Sequence, residues 1–407
     1  MDAISITGIG VISSLGIGRE AFWEGCRQST SGIHRITTFD PSPYRSNVAA
    51  WIADFRPSDF MPPMTYRRMS RISRMAVAAS IEAVADCGLD FKTMDRDRVA
   101  VIVGTAYGSS SHVEDFYCSL LADGPRGAQP FLFPDTVPNA PASHIAIYHK
   151  VKGPNATFCQ NEISAETGIA YARSLLEQNL VDVVLVGGAE ELSEILFRCY
   201  DAVGGLNPVW RTDNRAIHPE PGQGLILGEG AAILVLERRG AARQRGAKIY
   251  GNLVADVIAG GPSEMGHYPR DGQPMKRTLE IAMARAGLRP EDIDHIGASA
   301  NFARELDGVE FELIKSVFQG DQKKICVSPL KYLIGDFGAA GTTRAAAVLL
   351  GMYHQLSPPE IRLSTLMNQG NKPLKWEPGR HRRIDHALML SATFGGGAAS
   401  LIFSKEN

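Results

Sequence analysis

Short, unbroken apolar runs set apart by longer amphipathic stretches constrain this chain more than any other feature. Residues 99–104 (VAVIVG) and 181–188 (VDVVLVGG) are nearly continuous in apolar side chains, the pattern of strands buried on both faces. Residues 4–9 read as a further short strand ending near glycine. Residues 69–87 place Met75, Ala79, Ile81, Ala83 and Val84 on one broad face at helical spacing, and 165–178 is helical too. Residues 225–237 and 388–403 each combine β-rich sequence with a glycine-rich turn. Buried strands alternating with helices predict an α/β chain with a covered sheet.

The chain has 407 residues, enough for two or three ordinary domains or for two large halves around one core. Residues 181–189 resemble 385–392, which favours a duplicated architecture. The polar, glycine-punctuated stretch 239–247 marks a boundary, giving halves of 1–245 and 246–407. With 42 basic and 44 acidic residues, the chain has no global electrostatic reason to bind nucleic acid or an anionic membrane. A hydrophobic content of 44% excludes disorder. No run of about 18 apolar residues could span a bilayer, and the first residues lack the basic and apolar regions of a secretory signal. The six cysteines (Cys26, Cys87, Cys118, Cys159, Cys199, Cys326) are scattered without metal-ligand spacing. They read as reduced cytoplasmic thiols, mostly small buried hydrophobes, and no metal or cofactor is expected.

Several segments together resemble the β-ketoacyl synthase family of the thiolase fold. They are ITGIGVIS (6–13), FWE (22–24) with SGI (31–33), GGAE (187–190), LGEGA (227–231), RGAKIY (245–250), GAAG (338–341) and FGGG (394–397). They run in family order from the first strand to the last. The resemblance implies two pseudo-duplicated halves in a five-layer α-β-α-β-α arrangement. It also implies condensation of an acyl chain with malonyl units on an acyl carrier protein. That chemistry takes a cysteine at a helix N-terminus, where the dipole favours thiolate, and two histidines that stabilise the enolate and the oxyanion.

The three positions are substituted here. Counting forward from Gly153 and back from Glu190 at the family's spacing, both routes reach Glu162, and a glutamate cannot form the thioester. Cys159 and Ser164 would serve only if the count were shifted. The family's first histidine falls on Ser299, anchored by Asp307 and Glu310 downstream; His295 lies four residues earlier and reads as a surface or strand-end histidine. The family lysine is kept as Lys331, expected to be a structural ion-pair partner. The second histidine becomes Asp336 or, with one residue deleted, Gly335. Glu162 reads as a cap-like or ion-paired carboxylate beside a helix N-terminus.

A member with a substituted nucleophile resembles the chain length factor, the ketosynthase β subunit of type II polyketide synthases. That resemblance implies a heterodimer with an active ketosynthase α subunit, acting on a polyketide carried by acyl carrier protein. The β subunit closes the acyl tunnel and so sets product length. By position, the tunnel and interface residues would be Tyr107, Ser110, Ser111, Glu114, Phe116, Phe131, Phe133 and Pro138, with Phe394 at the entrance. The small residues 109–111 suggest room beside the helix, so enlarging Ser110 is expected to shorten the product. Three other readings stay open: a malonyl-carrier-protein decarboxylase that initiates synthesis, a transferase using Cys159, and a structural homodimer.

Overall fold

The computed structural model describes residues 3–213, 216–264, 266–318, 325–362 and 377–406. Ten strands carry its 12-stranded central sheet. The first half supplies β1 (Ile4–Ser13), β2 (Val99–Gly104), β3 (Asn155–Phe158), β4 (Val183–Glu190) and β5 (Gly230–Arg238). The second supplies β6 (Gly251–Gly260), β7 (His295–Gly297), β8 (Cys326–Ser328), β9 (His386–Ala392) and β10 (Gly397–Ser404). From the middle outward the order is β1-β5-β4-β2-β3 on one side and β6-β10-β9-β7-β8 on the other, joined where β1 and β6 pair antiparallel.

The strand directions repeat as well. β2 lies parallel to β4 and β3, as β7 does to β9 and β8, whereas β5 and β10 run antiparallel to their neighbours. Each half is therefore the same five-strand unit. The two segments whose sequences resemble each other, 181–189 and 385–392, fall on β4 and β9, which are equivalent positions.

The helices are α1 (Arg71–Cys87), α2 (Ser110–Asp123), α3 (Ala140–His149), α4 (Ser164–Glu177), α5 (Glu194–Ala202), α6 (Gln273–Ala286), α7 (Arg304–Val317) and α8 (Ala340–His354). One core packs α1 and α3 on the outer face of the first half, and another packs α6 and α7 on the outer face of the second. The largest core holds α4 and α8 between the two halves of the sheet. This is the five-layer thiolase-like arrangement. The helix α8 is buried from Ala340 to Met352, which its alanine- and glycine-rich sequence permits, since a helix covered on all sides must be apolar all round. Glycine is needed in β1 for a similar reason: a Cβ on Gly10 would lie 2.0 Å from the Ala79 carbonyl of α1.

The strands match the apolar runs to within a few residues. The first strand extends four residues further than expected, through Gly10 to Ser13, with an irregularity between Ile6 and Gly8 where its register against β5 shifts. The cysteine expectation needs correction: Cys26, Cys87 and Cys326 are buried, but Cys118, Cys159 and Cys199 are exposed. None of these three sits on a sheet face covered by a second layer.

Candidate functional site

At the carboxyl ends of β2 and β4, the segment leading into α8 crosses over from the second half and closes a small pocket. Glu162, Asp336, Tyr107, Tyr200, Glu190 and Phe337 line it, with a leucine wall from Leu192, Leu196, Leu225 and Leu227. The cavity is about 20 Å³, space for about one water molecule.

Glu162 lies two residues before the first residue of α4 and is buried. It does not cap the helix; its Oε2 accepts a hydrogen bond from the Thr393 hydroxyl of the second half. Burial pushes its carboxyl well above the usual carboxylate range and the Asp336 charge pushes further, opposed by Lys331 and by Thr393. Asp336 forms a buried ion pair with Lys331 Nζ at 2.7 Å, and its other oxygen accepts from Asn301 Nδ2 at 2.5 Å. The Asn301 amide also reaches the Tyr268 hydroxyl, at 3.3 Å. Gly335, the other candidate for this position, has φ 71°, and a Cβ there would lie 2.8 Å from the Leu227 carbonyl and 2.9 Å from Gly228 Cα. The Asp336 side chain is the one that enters the pocket.

Three further carboxyls hold the walls. Glu190, at the end of β4, accepts from Thr105 Oγ1 (2.9 Å), Ala106 N (2.7 Å) and Tyr107 N (3.3 Å); burial still raises it to about 8. Glu310 accepts from the backbone N–H groups of Ser299 and Ala300, both at 2.7 Å. Asp307 accepts from Asn301 N at 2.9 Å and from the Tyr332 hydroxyl at 2.5 Å. Burial raises both carboxyls to about 7. Together they fix the loop after β7 that aims Asn301 at Asp336.

No histidine is among the residues that line the pocket. Ser299 is buried, but its Oγ accepts from Ala392 N at 3.3 Å and does not line the pocket. His295 begins β7 and is fully enclosed, not a surface group; burial drives its pKa down to about 3, so it is neutral. Ser164 donates to the Asn161 and Thr105 carbonyls. Cys159 is exposed just beyond β3, and partial burial together with the Glu190 charge raises its thiol, which disfavours thiolate. Carboxylates can move protons, but nothing in the pocket can form a thioester.

The β-ketoacyl synthase N-terminal domain matches residues 1–242, and the C-terminal domain of the same enzymes matches residues 250–364. The chain belongs to the β-ketoacyl synthase family. A Streptomyces cyaneus relative named "Putative polyketide beta-ketoacyl synthase 1" is 30% identical over 412 residues, covering 98% of this chain and 97% of its own. The 3-oxoacyl-(acyl-carrier-protein) synthase 2 of Coxiella burnetii is 28% identical over 411 residues, covering 99% and 98%. Among solved structures, the ishigamide ketosynthase/chain length factor superposes with a TM-score of 0.88 at 26% identity and 100% coverage of both chains.

Within this β-ketoacyl synthase scaffold the expected tunnel residues divide into three groups. Tyr107 lines the pocket from the turn before α2, and its hydroxyl lies 2.8 Å from that of Tyr200. Ser110 and Ser111 do not leave room beside α2: the Ser110 hydroxyl is 2.8 Å from Ser193 Oγ, and Ser111 donates its N–H and hydroxyl to Glu191. Glu114 is half-buried, its carboxyl raised by burial and by the charges of Glu194 and Asp115. The third group faces outward. Phe116 packs against Phe133 with ring centroids 5.7 Å apart, Phe131 and Phe133 are 61% and 59% exposed, and Pro138 is exposed. Phe394 packs against Tyr268 with the ring centroids 4.5 Å apart and the planes tilted by 36°, and Tyr268 carries the Asn301 contact.

Sequence reasoning missed Asn301, Tyr200, Tyr268 and Thr393. It also missed the buried Arg344–Glu166 pair at 3.5 Å, which joins α8 to α4 behind the pocket. That pair left a signal: Glu166 interrupts the apolar stripe of α4, and Arg344 interrupts an alanine- and leucine-rich helix that is otherwise uncharged.

Proposed function

We propose that this chain is a chain length factor. It is a subunit without condensing chemistry of its own that pairs with an active ketosynthase and shapes the tunnel in which a carrier-bound polyketide grows. The observation that carries this reading is Glu162. A carboxylate occupies the position where the family needs a thiol, and a Lys331–Asp336 ion pair stands where an imidazole would stand. The pocket around them is too small for an acyl chain; small-molecule sites run to about 300–1,000 Å³.

The outer surface supports a partner. Among the described residues β3 has no neighbour on its outer edge, and open edges invite pairing with another chain. The helices flanking that edge expose Ile147 (71%) and Tyr171, and α2 exposes Leu121 (83%) beside the Phe131–Phe133 arm. Apolar groups exposed together in this way mark interaction surfaces. The solved ishigamide ketosynthase/chain length factor and the polyketide synthase relative agree with the assignment.

Co-expression with a type II polyketide ketosynthase that keeps its cysteine and both histidines tests the proposal. We expect the two chains to purify together and to elongate malonyl-loaded carrier protein, and this chain alone to release neither product nor carbon dioxide. Elongation by the chain alone refutes the proposal; carbon dioxide without elongation would identify an initiating decarboxylase instead.

A further inference from the structure

The pocket is lined as though for an aliphatic ligand, yet it is full. Leu192, Leu196, Leu225, Leu227 and Phe337 form an apolar wall, two phenol rings line the same pocket, and only about 20 Å³ is left between them. Tyr107 and Tyr200 meet edge to face, centroids 6.5 Å apart, with their hydroxyls 2.8 Å from each other. A buried phenol needs a polar partner, and here each ring supplies the other's. Two large side chains from separate elements, the turn before α2 and the helix α5, can thus fill apolar space without stranding a hydroxyl. The Glu162 and Asp336 charges act on both phenols, which places the pair against the carboxylate end of the pocket. Outside the pocket lining, Phe394 packs on Tyr268, whose hydroxyl accepts from the Asn301 amide.

We propose that Tyr107 and Tyr200 are a plug that keeps acyl chains out of this chain's own pocket, and that removing either ring converts the pocket into a binding site for a saturated alkyl chain. The inference rests on the chain length factor reading and extends it. Loss of the thiol ends the chemistry. The plug ends the competition, because a subunit that still bound acyl chains would divert substrate from its partner's thiol. The ring matters more than the hydroxyl: a Tyr200→Phe variant still fills the space, whereas Tyr200→Ala leaves a void that the leucine wall cannot collapse to fill, since packed interiors relax only in part.

The test is photo-crosslinking with a diazirine derivative of decanoic acid, followed by peptide mass mapping, on the chain as purified with its partner. Mapping separates labels on this chain from labels in the partner's tunnel. We expect Tyr200→Ala to raise labelling of the segment 192–206 at least tenfold over wild type, and Tyr200→Phe to leave it at the wild-type level. Tyr107→Ala, read on the same segment, is the second opening variant should Tyr200→Ala fail to fold. Strong labelling of that segment in wild type overturns the proposal, and so does wild-type labelling in a folded opening variant. Failure of the partner to co-purify would count against the chain length factor reading instead, and the labelling is then read on this chain alone.

Discussion

On the proposed chain length factor reading, Glu162 removes condensing chemistry without loosening the fold. Its buried carboxyl is held by Thr393 and faced by the Lys331–Asp336 pair, so the site is satisfied as it stands. Glu162→Cys is therefore expected to restore a thiol but no elongation, since no imidazole lines the pocket; malonyl-dependent product formation by the isolated variant would contradict this. The raised carboxyls also predict a pH signature. A group whose folded pKa lies above its unfolded value stabilises below the unfolded pKa, and that contribution is lost as pH rises through the folded value. Glu190 (about 8), Asp307 (about 7) and Glu310 (about 7) should together make the melting temperature fall between about pH 6.5 and pH 8. The depressed histidines His149 and His295 act in the opposite sense, but only below the ordinary histidine range. Glu190→Gln should remove about 1–2 kcal/mol of that decline; a melting profile as steep as wild type would count against the assignment. Position counting could locate Glu162 and Lys331. It could not show that Ser299 turns to Ala392 while Asn301 enters the site, because that depends on the backbone contacts of Glu310 and Asp307.

Among elements, α8 and α2 show what pattern leaves out. The helix α8, which the sequence reading did not single out beyond its first glycine-containing motif, is the buried layer between the two halves of the sheet. Its one charge, Arg344, pairs with Glu166 at 3.5 Å and donates to Ser391 Oγ at 2.9 Å and to the Gly297 carbonyl at 3.0 Å. Arg344→Met alone should cost about 3–5 kcal/mol in urea unfolding, because it leaves a buried carboxylate without its cation; a cost below about 1 kcal/mol would show that the pair carries little. For α2, small residues suggested open space, but small polar residues also serve as hydrogen-bonding groups. Ser110 and Ser111 are committed to Ser193 and Glu191. Ser110→Phe is accordingly expected to destabilise the chain by about 1–3 kcal/mol through overpacking, read as a lowered melting temperature, rather than to shorten the partner's product cleanly.

Across the molecule, the repeated five-strand unit was only faintly legible, because the likeness survives in β4 and β9 while the surrounding helices have diverged. The ordered series of glycine-containing motifs carried the fold from one end of the chain to the other, since most mark a close approach that tolerates no side chain, as at Gly10, while Gly246 instead takes a positive φ in open space. The outward surface was the least legible part. An exposed phenylalanine has the same sequence signature as a buried one, and only the structure separates Phe131 and Phe133 from the core. Replacing both with serine should abolish co-purification with the ketosynthase while leaving this chain's own melting temperature within a few degrees of wild type; unchanged co-purification would remove the arm from the interface. The most direct measurement is intact-mass spectrometry of both purified chains after incubation with an acyl-loaded carrier protein. The account predicts an acyl adduct on the partner's cysteine and this chain at its unmodified mass; an adduct on this chain would contradict it.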